Sequence, residues 1–419
     1  MQTDMQSLLQ YRRSAQHLWR YILCLVLAFA SNTSGLFAQG ALLTEEELAG
    51  KETYESLARA LSEPEKVYKL DVSKNYIKKL PAKFFELKNL QVLILSVNPL
   101  TELPENIGSL KNLQVLSLST GLLKKIPPSI GKLENLVALS LAKNPLTGLP
   151  KELGNLKNLR VLDLSGTRIK GEMPQVVCKL TNLTGLSLAD NQITKLPNEI
   201  SKLKFLVQLD LSRNQLSTLP AELKDLTYLS DIDLALNGIK TFPEALTTMP
   251  GLRRLILDEN PIQKWSQNMG ALKNLRVLSI ANNKLTTFPK ELCLLDTLIV
   301  LNAANNRFTE LPKEIAHLKT LRTLDLAYSE IAVLPVEIGE LKDLRTLNLM
   351  FNQLQELPKE FCELTNLTNL NVSSNRLSAL PKDIINLTKL TDARIAGGNR
   401  IPQEEIDRLK KVIPTAFVE

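Results

Sequence analysis

The stretch Leu136-Val-Ala-Leu-Ser-Leu-Ala-Lys-Asn144-Pro-Leu-Thr-Gly-Leu-Pro150 decides the fold, because its spacing recurs every 23 residues along much of the chain. A second clean copy is Leu206-Val-Gln-Leu-Asp-Leu-Ser-Arg-Asn214-Gln-Leu-Ser-Thr-Leu-Pro220. The Leu-x-x-Leu-x-Leu segment alternates apolar and polar residues, which predicts a short strand with one buried face. Every repeat runs in the same direction, so successive strands must pair in parallel. No single repeat can bury its own apolar face, and stability must therefore come from stacking.

An asparagine follows most of these strands, and we expect its amide to bond neighbouring backbone groups that the stack buries. Stacked copies would form an internal ladder of hydrogen bonds. Thr167 and Ser329 are expected to substitute in part, whereas Gly121 and Gly398 should interrupt the ladder. The predicted ladder consists of Asn98, Asn144, Asn191, Asn214, Asn237, Asn260, Asn283, Asn306, Asn352 and Asn375.

The second half of each repeat carries a Leu-Pro pair and then a short apolar stretch. Proline lacks an N–H, so it suits the outer segment of a repeat and not the strand ladder. Before the C-terminal repeat, only Trp265-Ser266 lacks the proline of this pair. One repeat is longer, because Thr167 and Asn191 are 24 residues apart, and a single residue bulging outward is the expected explanation.

This LxxLxLxxNxLxxLP pattern resembles the leucine-rich-repeat superfamily from residue 67 to about residue 415. It is most similar to the 23-residue class of Ras-group scaffolds and bacterial exported proteins. The resemblance implies an α/β solenoid: a right-handed horseshoe with parallel strands on its concave face and short 3-10 or helical segments on its convex face. Residues 67–398 would hold about 15 repeats.

Capping segments are predicted at both ends of the repeats. Residues 39–66 form an N-terminal helical cap, in which Thr44 to Glu47 has the sequence of a capping box. Within that cap, Leu57, Ala58 and Leu61 are expected on one helix face. Residues 399–419 are predicted to form a C-terminal cap helix that begins near Pro402.

Residues 1–38 have the pattern of an export signal. Three arginines precede the apolar run from Tyr21 to Ala30, and cleavage is expected after Ala38, with Ala30 as a second candidate. The run is shorter than the roughly 20 apolar residues that a bilayer span needs. We expect a secreted, periplasmic or cell-envelope protein without a transmembrane segment after cleavage; an uncleaved anchor is the alternative. A cytoplasmic location would require that this segment is not a signal.

The sequence offers little for catalysis or cofactor binding. The formal charge of +7 is spread along the chain and gives no clustered basic footprint for nucleic acid. His317 is the one histidine after residue 38, and no Cys/His cluster has metal-ligand spacing. Cys178, Cys293 and Cys362 occupy a small-residue position and are interpreted as buried apolar side chains. We therefore expect no enzyme, no metal and no cofactor, and no catalytic domain beyond the cap.

Binding is expected on the concave strand face, where two features are notable. The first is an acidic belt, which is either a solvated surface or a site for a basic protein partner. Its members are Asp190, Asp210, Asp231, Asp233, Asp258 and Glu259. The second feature is Tyr328 with Met350 and Phe351 in consecutive repeats. These side chains could anchor a partner or pack together where Ser329 weakens the ladder.

A third feature is a row of arginines, Arg276, Arg322 and Arg345, at one lateral position, for which solvation is the expected explanation. The hypothesis from sequence is therefore a monomeric, exported protein that binds a protein partner and no nucleic acid. The alternatives are an intracellular scaffold of the Ras-group type and a surface protein for adhesion or carbohydrate recognition.

Overall fold

A computed structural model describes residues 42–413 and 417–418, so the predicted signal at residues 1–38 lies outside the described residues. The described chain divides into two compact units, the N-terminal unit up to Leu229 and the C-terminal unit from Ser230 onward. Within residues 42–413 and 417–418, no helix has the length and apolar character needed to cross a membrane.

The N-terminal unit begins with two short helices around a two-residue strand. Helix α1 (Glu45–Ala49) has the predicted capping box, in which the Thr44 hydroxyl accepts from the Glu47 N–H and the Glu47 carboxylate accepts from the Thr44 N–H. Helix α2 (Leu57–Ser62) buries Ala60 and partly buries Leu57 and Leu61. Ala58 is exposed, so its predicted place on the inner face is wrong: Ala60, one turn from Leu57, takes it.

The strands of the N-terminal unit pair in parallel and in chain order. Strand β1 covers the first repeat strand by pairing Tyr54 with Leu70. Each repeat strand then adds to the next with a register in which equivalent residues are partners. These strands are β1 (Thr53–Tyr54), β2 (Lys69–Asp71), β3 (Val92–Ile94), β4 (Val115–Ser117), β5 (Ala138–Ser140), β6 (Val161–Asp163), β8 (Gly185–Ser187) and β10 (Gln208–Asp210).

A second, two-stranded sheet joins the 24-residue repeat to the repeat that follows it. Strand β7 (Lys170–Glu172) pairs in parallel with β9 (Gln192–Lys195), and the register shifts between Gly171 and Glu172. Gly171 has a φ of +76°, a left-handed conformation that glycine adopts at low cost. The additional residue is thus absorbed as a bulge beside an extra strand pair.

The C-terminal unit repeats the same parallel arrangement. Its strands are β11 (Asp231–Asp233), β12 (Arg254–Ile256), β13 (Val277–Ser279), β14 (Val300–Asn302), β15 (Thr323–Asp325), β16 (Thr346–Asn348), β17 (Asn369–Asn371), β18 (Asp392–Arg394) and β19 (Phe417–Val418). Helix α3 (Gln403–Val412) follows the last repeat and buries Ile406 and Leu409. It starts directly after Pro402, as predicted, but it ends at Val412, and Phe417–Val418 form a strand where the prediction had helix. The Glu405 carboxylate accepts a hydrogen bond from the Leu380 N–H at 2.6 Å.

Short 3-10 turns lie between the strands, and most begin right after a proline in extended conformation. They are Pro64–Lys66, Ala82–Glu86, Glu105–Ser109, Pro128–Lys132, Lys151–Asn155, Gln175–Lys179, Asn198–Lys202 and Ala221–Asp225 in the N-terminal unit. In the C-terminal unit they are Glu244–Thr248, Met269–Ala271, Lys290–Leu294, Lys313–His317, Val336–Glu340, Lys359–Glu363 and Lys382–Asn386. Where Ser266 replaces the proline, the turn shortens to Met269–Ala271.

Columns of identical apolar residues form the core of each unit. The central strand leucines Leu255, Leu278 and Leu301 are register partners, and each is completely buried. Burying one leucine stabilises the fold by roughly 2 kcal/mol, so the periodic sequence is the main source of stability. The predicted fold class, an α/β solenoid of parallel strands and short 3-10 segments, is confirmed in each unit.

The asparagines after the strands are buried and hydrogen-bonded. In the C-terminal unit, the amide nitrogen Nδ2 of Asn283 lies 3.0 Å from the Leu257 carbonyl oxygen and 2.9 Å from that of Ile280. Its Oδ1 accepts from the Ile262 N–H at 3.2 Å. One side chain thus satisfies backbone groups of its own repeat and of the preceding one.

Of the residues that replace asparagine at ladder positions, two do not behave as predicted. Thr167 substitutes in part, since its hydroxyl donates to the Leu164 carbonyl at 3.1 Å. The expectation for Ser329 is wrong, because its buried Oγ has no hydrogen-bond partner among the described residues. The interruption expected at Gly398 is also wrong: Gly398 has a φ of +74°, and Asn399 bonds the carbonyls of Val372 and Ile395. A serine side chain is too short for this task, whereas one added glycine lets the next residue perform it.

Candidate partner-binding surface

Each strand ends in a tight turn that positions the exposed residues beside the ladder. The residue just before the ladder position has a left-handed backbone in repeat after repeat. Residues other than glycine adopt this conformation only with backbone strain. The non-glycine members of this left-handed column are Lys74, Val97, Thr120, Lys143, Asp190, Arg213, Leu236, Glu259, Asn282, Asn305, Tyr328, Phe351 and Ser374.

An aspartate or asparagine at the end of many strands stabilises this turn. The Oδ1 atom accepts the backbone N–H two residues later, which is the geometry of an Asx turn. In the C-terminal unit the Asp325 carboxylate accepts from the Ala327 N–H at 3.0 Å, and Asn348 accepts from the Met350 N–H at 3.2 Å. The strand-end column with this bond comprises Asp71, Asp163, Asp210, Asp233, Asn302, Asp325, Asn348 and Asn371.

Two members of the predicted acidic belt lie in the N-terminal unit. The Asp210 carboxylate accepts from the Ser212 N–H at 3.0 Å and the Ser212 hydroxyl at 2.7 Å, and it is half-buried. Asp190 is exposed and belongs to the left-handed column. Asp210 therefore has a structural role in its turn, whereas Asp190 presents its carboxylate to solvent.

The other four members lie in the C-terminal unit. Asp233 caps the Ala235 N–H at 3.0 Å, and Asp231 on the same strand bonds the Ser230 hydroxyl. Asp258 is buried and accepts from the Ser279 hydroxyl at 2.5 Å and the Ala281 N–H at 2.9 Å. It supplies the turn cap that Ser279, at the end of its own strand, cannot supply. Glu259 is exposed in the left-handed column.

Burial also perturbs the carboxylates of the strand-end column. Burial raises the pKa of Asp325, although the hydrogen bonds from Ala327 and Asn348 lower it in part. Burial likewise raises the pKa of Asp163 in the N-terminal unit, against hydrogen bonds from Ser165 and Ser140. A carboxylate that is desolvated in this way stabilises its turn less than a fully solvated charge bonded in the same manner.

The aromatic residues of the C-terminal unit come together as one exposed cluster. The rings of Tyr328 and Phe351 stack with centroids 4.7 Å apart and an interplanar angle of 20°. Tyr328 remains 52% exposed and Phe351 45% exposed, while Met350 beside them is half-buried. The structure therefore unites the two expectations: the rings pack on each other and still present a large apolar surface. We call Tyr328, Met350 and Phe351 the aromatic cluster.

This cluster lies beside a defect in the ladder. The Tyr328 N–H donates to the Met350 carbonyl at 2.8 Å, which joins the two repeats at the strand ends. Ser329, the next residue after Tyr328, leaves its buried hydroxyl without a hydrogen-bond partner among the described residues. Both rings also adopt the left-handed backbone, with φ values of +55° and +52°. An unsatisfied buried hydroxyl therefore lies directly beside the exposed rings.

Sequence profiles of leucine-rich repeats match most of the chain. The profile described as a leucine-rich repeat region matches residues 183–287. That of the leucine rich repeat matches residues 65–120, 111–169, 296–354 and 319–377. A leucine-rich-repeat protein of Leptospira interrogans is 36% identical, over 88% of this chain and 100% of that one, with a TM-score of 0.80.

The chain belongs to the leucine-rich-repeat superfamily.

More distant solved structures share the fold. The plant peptide hormone receptor RGFR1, in complex with RGF2, is 30% identical over 79% of this chain and 59% of that chain, with a TM-score of 0.62. An internalin of Listeria monocytogenes is 22% identical over 79% of this chain and 87% of that chain, also with a TM-score of 0.62. Among curated protein sequences, none matches this repeat protein. Proteins of this superfamily are generally protein-interaction modules without catalytic activity.

The side chains considered for reactivity are three cysteines and His317. Cys178, Cys293 and Cys362 are buried and free, and burial raises the pKa values of their thiols to about 12, 12 and 11. Such thiols remain protonated and unreactive at neutral pH. His317 is exposed on a 3-10 turn. Among the described residues, no group of histidine, cysteine and carboxylate side chains could hold a metal ion.

The sequence interpretation missed two features of the surface. Of the strand-end column, only Asp210 and Asp233 were recognised, as members of the acidic belt. The strings Asp-Leu-Ser at 163–165 and 210–212 and Asn-Val-Ser at 371–373 signal the Asx turns. The second feature is an exposed aromatic pair in the N-terminal unit, Phe205 and Tyr228, with ring centroids 6.1 Å apart. Both occupy a position where Asn112 and Asn135 instead bond the backbone of the preceding repeat. That break in a second asparagine series is the signal that could have revealed the pair.

Proposed function

We propose that this repeat protein is a non-enzymatic binding protein that holds a protein partner on its strand face, with the aromatic cluster as the anchor. The observation that carries the proposal is the stacked and exposed pair of Tyr328 and Phe351. Large aromatic side chains that remain accessible are the residues that most often dominate the binding energy of an interface.

The choice of side chain at these two left-handed positions supports the same proposal. A tyrosine and a phenylalanine in the left-handed region cost roughly 1 kcal/mol each relative to glycine. Folding alone gives no reason to place the largest side chains there, since the same column accepts Ser374 and Asn305. The plant receptor with the same fold holds a peptide hormone, which is a precedent for peptide or protein ligands on such repeats.

Glycine substitution separates binding from folding at this site. Phe351→Gly removes the ring and relieves the left-handed strain, so binding should weaken by about tenfold or more while the melting temperature does not fall. Ser374→Gly, in the same column one repeat later, is the matched control and should bind like the wild type.

The partner is first identified by photo-crosslinking in the source cells, with a benzophenone amino acid at position 351 and, for comparison, at the exposed position 317. The affinity of the purified partner is then measured for wild type and both glycine variants. A partner that crosslinks from position 317 but not from 351, or that binds Phe351→Gly as tightly as wild type, would contradict the proposal.

Export is the second part of the proposed function, and it rests on the arginines and apolar run before Ala38. We expect the mature protein in the secreted, periplasmic or envelope fraction, beginning at residue 39 or residue 31. Fractionation with intact-mass measurement checks this. A full-length chain in the cytoplasmic fraction would instead favour an intracellular scaffold.

Charge on the partner is a separate part of the proposal, because only some members of the acidic belt face solvent. Asp190 in the N-terminal unit and Glu259 in the C-terminal unit are exposed. A basic partner that uses either residue should lose affinity on Asp190→Asn or Glu259→Gln, and the loss should shrink at high salt.

Carbohydrate recognition is a second candidate, because both stacked rings of the aromatic cluster remain about half exposed. A glycan array probed with wild type and Phe351→Gly distinguishes it from protein binding. A glycan that binds wild type and is lost in the variant, without any crosslinked protein, would favour this candidate.

A further inference from the structure

A line of basic residues crosses the C-terminal unit at the opposite end of the strands from the aromatic cluster. The residues directly before five successive strands are Arg253, Arg276, Ile299, Arg322 and Arg345. We call this line the arginine row.

Backbone hydrogen bonds join its members one after the other. The Arg276 N–H donates to the Arg253 carbonyl at 2.8 Å, and the Ile299 N–H donates to the Arg276 carbonyl at 2.8 Å. The chain of bonds then continues from Arg322 to Ile299 at 2.8 Å and from Arg345 to Arg322 at 2.9 Å. Each member is thus the immediate neighbour of the next.

All four arginines are exposed, and Ile299 between them is half-buried. Within the described part of the chain, no carboxylate forms an ion pair with any of the four guanidinium groups. Neighbouring positive charges repel each other, and this repulsion disfavours the arrangement. The solvation expected from the sequence accounts for one such arginine, but it gives no reason to align four.

The basic charge is narrow as well as long. With strands about 4.8 Å apart, five positions span roughly 19 Å. On the strand side, apart from Arg254 at one end, the neighbours are the uncharged Val277, Val300, Thr323 and Thr346. On the other side, Asn274, Thr297 and Thr320 are uncharged and bond the backbone of the preceding repeat, while the equivalent residue beside Arg345 is the exposed Asp343. A line of charge one residue wide suits an extended ligand and not a broad flat surface.

The apolar centre narrows the class of ligand. Ile299 divides the arginines into two pairs, so the sequence of contacts along the row is basic, basic, apolar, basic, basic. A sulfated glycan, a nucleic acid or a lipid headgroup layer carries charge at its centre as well, and the row has no aromatic side chain on which bases could stack. An extended peptide of about six residues spans roughly 19 Å. Its side chains alternate between two faces, so an apolar side chain facing Ile299 has acidic side chains on the same face about 7 Å to either side, each between the two arginines of one pair.

We propose that the arginine row is a docking site for an extended acidic segment of a protein, with an apolar side chain resting on Ile299 between glutamates or aspartates that pair with Arg253, Arg276, Arg322 and Arg345. Arginine suits this role because its planar guanidinium pairs with a carboxylate through two parallel hydrogen bonds. The site is independent of the aromatic cluster and stands whether or not that cluster binds a partner.

The N-terminal unit shows that the repeat does not require this row. The equivalent positions there are Gln91, Gln114, Val137, Arg160, Thr184 and Val207, joined by the same backbone bonds. A single arginine among them carries no line of charge. The same fold therefore tolerates a neutral row, and the basic one is a property of the C-terminal unit.

The test measures binding of a fluorescein-labelled peptide of about seven residues, with glutamates on both sides of a central leucine, to the full chain by fluorescence anisotropy at low salt. The triple variant R276Q, R322Q and R345Q should bind at least about tenfold more weakly than wild type. The matched control K290Q, K313Q and K382Q removes the same charge from exposed lysines on 3-10 turns of the same unit and should stay within about twofold. Thermal melts of both variants verify folding.

A second comparison isolates the apolar contact. Replacing the central leucine of the peptide by glycine should weaken binding to wild type, and it should have little effect on binding to Ile299→Ser. The proposal is overturned if the peptide fails to bind, if both triple variants bind equally, or if the leucine makes no difference. It is also overturned if a sulfated oligosaccharide, a single-stranded oligonucleotide or anionic lipid vesicles bind the row more tightly than the peptide.

Discussion

The two units of the molecule use the same buried columns and different exposed rows. Asn144 in the N-terminal unit and Asn283 in the C-terminal unit have equivalent hydrogen bonds to backbone groups of their own and the preceding repeat. The row before the strands, by contrast, is mostly neutral in the N-terminal unit and contains four arginines in the C-terminal unit. The buried columns determine the fold, so the exposed rows are where a distinct function can reside.

Substitutions in the asparagine ladder are expected to have the largest effect on stability. They test directly whether the two units have equivalent frameworks. Asn144→Ala and Asn283→Ala should each lower the free energy of unfolding by about 3 kcal/mol, because several buried backbone groups lose their partner at once. Urea denaturation followed by circular dichroism measures both changes. Lys284→Ala, exposed and next to Asn283, is the control. A loss in one unit without a similar loss in the other would mean that the two frameworks are not equivalent.

Replacing a glycine of the 3-10 turns by alanine is expected to have the next largest effect on stability. A Cβ added to Gly131 would lie 2.3 Å from the Glu152 carbonyl oxygen, and one added to Gly339 would lie 2.3 Å from that of Glu360. Both alanine variants should therefore lose about 2 kcal/mol through overpacking. A Cβ added to Gly148 would have no atom within 4 Å, so Gly148→Ala is the matched control. Unchanged melting temperatures for Gly131→Ala and Gly339→Ala would show that neighbouring turns can move apart.

The strand-end carboxylates give the smallest effect, and it depends on pH. Burial raises the folded pKa of Asp325 above its ordinary value of 3.8, so the contribution of this group to stability is greatest below that value and is lost as the pH rises through the folded pKa. Asp325→Asn keeps the oxygen that caps the turn, as Asn348 does at the same position. The variant should therefore be more stable than wild type at pH 7, and the difference should vanish as the pH falls below about 4.

The same substitution in the N-terminal unit sharpens the comparison. Asp163 accepts from the Ser165 N–H, the Ser165 hydroxyl and the Ser140 hydroxyl, so its charge is better compensated than that of Asp325. Asp163→Asn should show a smaller gain at pH 7. Melting temperatures across the pH range decide this, and a larger gain for Asp163→Asn than for Asp325→Asn would contradict the explanation.

Particular residues show how far sequence reasoning reaches. The strands, the parallel order, the 3-10 turns after proline and the capping box at Thr44 were all predictable, because each depends on residues close in sequence or repeated at a fixed spacing. The prediction for Ala58 was wrong because Ala60, and not Ala58, lies on the buried face of the helix. The prediction for Gly398 was wrong because one added glycine lets Asn399 take the ladder position. The stacking of Tyr328 on Phe351 was one of two open expectations that only the arrangement of neighbouring repeats could decide.

Sequence by itself determined that this chain is a repeat protein and which columns of residues are buried, because a stacked solenoid brings every residue next to its own equivalent in the adjacent repeat. Tertiary structure decided which polar residues remain available at the surface. Asp258 has the sequence position of an exposed residue, yet it is buried as the cap of a turn in the next repeat. The physical reason is that a side chain meets partners some 23 residues away in sequence, and its rotamer and its neighbours determine whether its hydrogen-bonding capacity is used inside the fold or offered to a partner.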